Sequence, residues 1–144
     1  MQTYRAVVMI GIIEILIGSL ALLGNFLLAL LNLNDKSPNV LAFVLITASV
    51  SILIGLGLLK GNKSAYVLLL YFSSVIILTK ILIFGGIIQL NGELEVSVHR
   101  VLNIPLPEML RQTMNTIKNI ISIGYHAFII HYLLKPEVRT VFHK

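Results

Sequence analysis

The 144-residue chain has no cysteine. That excludes a disulfide framework, a thiolate metal site and a cysteine nucleophile, and it removes the usual clue to redox compartment. Charge is scarce too: 11 Lys and Arg and 6 Asp and Glu make up 12% of the residues. No Ser-His-Asp arrangement, clustered acidic motif or His-x-x-x-His spacing is visible, so nothing places a nucleophile, an acid-base pair or a metal cluster together. What remains is apolar. Hydrophobic residues form 57% of the chain and mean hydropathy is +0.94. That is too apolar for a soluble domain and far from a disordered chain. The net charge of +5 does not signal nucleic acid. The bases sit at the ends of apolar runs, where they suit lipid headgroups.

Four apolar runs follow one another, Tyr4 to Leu31, Leu41 to Leu59, Ala65 to Leu90 and Thr113 to Leu134. Each has about the 20 residues that a helix needs to cross a bilayer core. They predict an all-α integral membrane protein, a four-transmembrane-helix bundle forming one domain over residues 1–144. The first run is not read as a signal peptide: it is too long, carries Glu14 and lacks a small-x-small cleavage site. With both termini cytoplasmic, Arg5, Lys60, Lys63, Lys135, Arg139 and Lys144 lie inside, against Lys36, Arg100 and Arg111 outside. That bias obeys the positive-inside rule, and Tyr4, Tyr66 and Tyr132 then fall at the inner interface, where aromatic rings anchor helices.

The connections differ. Asn32 to Asn39 is a short polar loop with Ser37-Pro38 starting the second helix, and Lys60-Gly61-Asn62-Lys63 is a basic turn. Asn62-Lys63-Ser64 matches a glycosylation sequon, discarded on the inner side. Asn91 to Gln112 is the one longer outer segment. Its Glu93 to His99 alternates polar and apolar residues, which predicts a short extended stretch. Ile104-Pro105-Leu106-Pro107 is stiff, and Pro107-Glu108 suits the first turn of the fourth helix. Residues 135–144 form a tail, read as an interfacial helix with Val138, Val141 and Phe142 on its apolar face.

The tail Tyr132-Leu133-Leu134-Lys135-Pro136-Glu137-Val138-Arg139 with Phe142 resembles the closing segment of small, uncharacterised four-span bacterial membrane proteins. Gly57-Leu58-Leu59-Lys60, with Ala65 and Leu69 after the turn, is similar to their middle. The resemblance implies a bacterial inner membrane and brings no activity with it.

The helices carry polar stripes. On the fourth, Asn115, Lys118, Asn119, Ser122 and His126 keep within an arc of roughly 100° at about 100° per residue. On the first, Gly11, Glu14, Gly18, Leu22 and Asn25 share a face, with Ala21 at its edge. Thr47, Ser51 and Gly55 do so on the second, and Ser73 and Lys80 align on the third. Small and hydroxylated residues at such spacing read first as packing faces. A short echo, Glu14-Ile-Leu-Ile-Gly18, Ser51-Ile-Leu-Ile-Gly55 and Lys80-Ile-Leu-Ile, carries little weight in so apolar a chain.

Ionisable groups inside a membrane cost on the order of 3 kcal/mol, so Glu14, Lys80 and Lys118 need reasons. At 1.5 Å per residue Glu14 lies roughly 15 Å and His126 roughly 12 Å from the inner ends of their helices, close enough in height to meet. They are the candidates for proton or ion coupling; the competing reading is a single structural hydrogen bond. Lys80 and Lys118 both lie roughly 25 Å up. With Asn115 and Asn119 they form a candidate pocket for a lipid phosphate or another anion. The competing reading there is snorkelling lysines answered by Glu93, Glu95 or Glu108. His131 falls off the stripe, and its spacing from His126 does not suit a shared haem, so no cofactor and no metal site is expected.

The expected function is a non-enzymatic integral membrane module, an accessory subunit or a bundle binding lipid or a small ligand through its polar interior. Its partners would be membrane lipids, with a second membrane protein or further copies of itself, and no nucleic acid. The alternative is a small proton- or ion-coupled transporter or channel with Glu14 as coupling carboxylate. A lone glutamate in the first of four helices is similar to small multidrug resistance transporters. The chain departs from that family in its length, its outer loop and its lack of tryptophan.

Overall fold

The computed structural model describes residues 2–31, 38–85 and 108–142. They form α1 (Gln2–Leu30), α2 (Pro38–Leu59), α3 (Lys63–Phe84), α4 (Glu108–Leu133) and the short α5 (Pro136–Arg139), then a 3-10 turn over Thr140–Phe142. α1, α2 and α3 are each long and apolar enough to cross a membrane, with mean hydropathies of 2.6, 2.5 and 2.4. α4 becomes a fourth candidate only when the bent tail beyond it is counted. The chain is thus a helical membrane protein. α3 is described to Phe84, with Gly85 as its C-cap donating its N–H to the Ile81 carbonyl at 2.8 Å; the rest of the run expected to reach Leu90 lies outside the described residues. α4 starts at Glu108, directly after Pro107. The extended stretch expected over residues 93–99 lies outside the described residues.

Polarity is inverted relative to a soluble fold. Leu20, Leu53 and Tyr71 are 68%, 66% and 69% exposed, while Glu14, Asn25, Ser51, Ser73 and His126 are buried. Lipid is as apolar as leucine, so the helices gain little by hiding such side chains from it. Association relies instead on close packing and on hydrogen bonds between helices.

Both helix pairs show this. In the α1–α2 pair Gly11 lies against Gly55 and Gly18 against Ala48, an antiparallel register. A Cβ on Gly18 would stand 2.5 Å from the Ala48 carbonyl oxygen, and one on Gly55 2.5 Å from that of Gly11. Glu14 meets Ser51 between these contacts, with Ile15 beside Gly55 and Ile52 beside Gly18. In the α3–α4 pair, Tyr66, Ser73 and Lys80 meet Leu133, His126 and Asn119. The rungs recur every seven residues on both strands of the pair, the spacing of helices that meet once every two turns.

The turn between α2 and α3 closes by local rules. Gly61 takes φ 67°, the left-handed conformation that glycine adopts without strain. Gly61 N–H then bonds the Leu58 carbonyl at 3.0 Å and Asn62 N–H that of Gly57 at 2.9 Å, completing a Schellman motif. Asn62 serves twice, since its side chain accepts the Ser64 N–H at 2.8 Å and caps α3.

At this same end of the bundle an apolar cluster joins Val7, Ile54, Leu58, Leu69, Ile129 and Leu133. The tail turns by 74° after α4 and inserts Val138 and Phe142 into the cluster. The apolar face of the tail therefore meets protein. Val138 and Phe142 are 1% and 5% exposed, and Phe142 stacks on Tyr66 at 4.8 Å, so the face expected to meet lipid closes the bundle. The Lys135-Pro136 break makes the bend, since proline suits the first turn of a new helix. Tyr66 is buried against protein, and its hydroxyl donates to the Leu133 carbonyl at 2.9 Å.

Candidate functional site

α1 packs chiefly on α2 and α4 on α3, with α2 and α3 linking the pairs. Where the pairs diverge they leave a partly enclosed cavity of about 250 Å³. α1 contributes Glu14, Gly18 and Ala21 to its walls, and α2 contributes Val44, Thr47 and Ser51. α3 adds Phe72, Ile76 and Lys80, and α4 adds Ser122 and His126.

Glu14 is 1% exposed. It stands where Gly11 and Gly18 draw α1 onto α2, which brings Ser51 within reach of both its carboxyl group (Oε2) and its backbone carbonyl, the latter at 3.0 Å. The other carboxyl oxygen, Oε1, accepts from the Tyr125 hydroxyl at 2.9 Å. That contact bridges α1 and α4. His126 is held across the α3–α4 pair, Nδ1 to Ser73 Oγ at 3.2 Å, with Tyr125 and Phe72 edge-on to its ring at 5.1 and 6.2 Å. Higher along the same pair, Lys80 Nζ donates to Asn119 Oδ1 at 2.9 Å. Ser73 and Lys80 are two turns apart, so these polar levels are separated by about 10 Å.

Among the candidates read from the sequence, Glu14 and His126 line the same cavity. They are not hydrogen-bonded to each other among the described residues: Tyr125 takes Glu14 and Ser73 takes His126. Lys80 and Asn119 come together, whereas Lys118 is exposed and does not line the cavity. The side chain of Asn115 lies outside the described residues. His131 is exposed in the last turn of α4.

Tyr125 is the residue that the polar pattern omits. At about 100° per residue it sits only about 20° beyond the arc of the α4 stripe, and its hydroxyl is the polar signal that could have added it. Among the described residues no group of three or more His, Asp or Glu is placed to hold a metal ion. Chemically the site offers a carboxyl group with both oxygens engaged, an imidazole, a hydroxyl and an amino group along an otherwise apolar wall. No protein-family model matches the chain, and neither curated proteins nor solved structures provide a match.

Proposed function

We propose that the chain is a non-enzymatic membrane module that holds a small ligand in the cavity between the α1–α2 and α3–α4 pairs. It would sit in a bacterial inner membrane, as the resemblance of its tail implies, with both termini cytoplasmic, following the distribution of basic residues. The observation that carries the reading is the cavity itself, about 250 Å³ with Glu14, Lys80 and His126 on its walls. Membrane helices that needed these residues only for packing would close around them. The apolar cluster with the inserted tail seals the bundle at the end bearing Lys60 and Lys63, so a ligand held above it has no polar route through that end.

The test is native mass spectrometry of the gently solubilised protein beside Ala21→Phe, which fills the cavity from an apolar position. A retained small mass in the wild type that Ala21→Phe loses supports the reading. The same bare mass for both, with no added compound retained, overturns it.

A second reading is favoured by the bridge from Tyr125 to Glu14, a carboxyl group held between the two helix pairs. If the pairs move apart, that bond must break, and Glu14 becomes the coupling group of a proton-linked transporter. Proton flux into liposomes that disappears in Glu14→Gln distinguishes this reading from simple binding.

A further inference from the structure

Resting on the binding reading above, we infer that the ligand of the cavity is a small amphipathic monocarboxylate, its carboxylate on Lys80 and its apolar body along the α1–α2 wall. The argument is one of hydrogen-bonding capacity. Each carboxyl or amide oxygen at the cavity already receives a hydrogen bond. Both Glu14 oxygens accept from Ser51 and Tyr125, and Asn119 Oδ1 accepts from Lys80.

The donors are not exhausted. An ammonium has three N–H groups, and Lys80 has one hydrogen bond among the described residues, to Asn119. Neither Glu14 nor Glu137, the two acids whose side chains are described, forms an ion pair with it. The Ser122 hydroxyl and His126 Nε2 also have no protein partner among the described residues, and both residues line the cavity. Lys80 can only donate, while Ser122 and His126 Nε2, which can donate or accept, complete a polar row with it, so the group that meets Lys80 must accept. Opposite the row, Gly18, Ala21, Val44 and Ala48 offer a smooth apolar wall. A cationic ligand would be repelled by Lys80.

Size narrows the class. A cavity of about 250 Å³ is too small to enclose the two chains of a phospholipid. A phosphate monoester brings about two negative charges, where the row has the one lysine. A single carboxylate with a short apolar chain suits both the charge and the space.

The experiment is isothermal titration of the full-length protein in zwitterionic nanodiscs with octanoate, octylammonium and octanol. Saturable octanoate binding, without binding of octylammonium and weakened at least about tenfold in Lys80→Met, is the result expected for loss of one charge-assisted hydrogen bond. Octylammonium binding as tightly as octanoate overturns the inference on the wild type alone, whether or not Lys80→Met folds. So does octanoate binding equally to Lys80→Met, or its displacement by anionic phospholipid added to the disc. If octanol or octylammonium binds the wild type but not Ala21→Phe, the carboxylate assignment fails while the binding module stands. If no probe binds, both fail.

Discussion

The close approach of α1 and α2 can be tested with one substitution made at two positions. In Gly18→Ala the new methyl would stand 2.5 Å from the Ala48 carbonyl oxygen and 2.7 Å from Ile52 Cγ1. Ordinary contact is about 3.5–4.0 Å between carbon atoms, so the helices must separate by about 1 Å. In Gly24→Ala, on the same helix, the methyl meets nothing within 4 Å. The gain in helix propensity is common to both, about 0.5–1 kcal/mol, and cancels in the comparison. What remains is the overpacking cost, about 1–3 kcal/mol. Gly18→Ala should therefore unfold more readily than Gly24→Ala by that margin, measured by reversible denaturation in mixed micelles. Gly124→Ala, also in open space, should behave like Gly24→Ala. A difference below about 0.5 kcal/mol, within the usual scatter of additivity, would refute the glycine-mediated packing of α1 on α2.

Other outcomes follow from the same geometry. Tyr66→Phe leaves the Leu133 carbonyl without its hydroxyl donor and should lower stability by about 1 kcal/mol. Phe142→Ala empties the ring stacked on Tyr66, at a cost of about 3 kcal/mol, and should expose residues 135–142 to protease; a tail equally protected in both proteins would show that it is not docked. Glu14→Gln puts an amide N–H where Ser51 or Tyr125 now donates. It should destabilise by about 1–3 kcal/mol, and unchanged unfolding would show that the two oxygens are not both engaged. Because the chain has no cysteine, Lys60→Cys and Lys135→Cys give single labelling sites. Both should react with an impermeant maleimide from the same side of the membrane, and labelling from opposite sides would break the bundle arrangement.

Periodicity made much of this legible. The stripes on α1 and α2 identified Gly11, Glu14, Gly18, Ser51 and Gly55 as inward, and these are the residues at the α1–α2 contact. The seven-residue step from Ser73 to Lys80 on α3 equals that from His126 back to Asn119 on α4, and these steps are the rungs of the α3–α4 pair. Each step was visible, but their register was not, because a helix face does not name its partner. Tyr125 was passed over for another reason: a ring suits lipid, interface or core, and only the bond to Glu14 decides among them. The tail misled in the same way. Val138 and Phe142 form an apolar face whether they meet lipid or protein, and the choice follows from the 74° bend, which composition does not encode.

The distribution of hydrogen bonds separates the polar residues that hold helices together from those that surround the cavity. Ser49, Ser74 and Thr113 each donate to the carbonyl four residues earlier, so they satisfy themselves within one helix. Tyr66 on Leu133 ties α3 to α4 at the sealed end. The pairs Ser51–Glu14, Tyr125–Glu14, Ser73–His126 and Lys80–Asn119 all include a residue that lines the cavity. Were they only fasteners, each should contribute about 0.6 kcal/mol, the average for such bonds in membranes, and removing one should leave ligand binding intact. A Ser73→Ala variant separates the two roles. It loses the His126 contact and should lower stability by no more than this small amount. If His126 is positioned for a ligand, octanoate affinity falls well beyond it. If affinity and stability change together by the same few tenths of a kcal/mol, the Ser73–His126 pair is a fastener and the recognition row ends at Ser122.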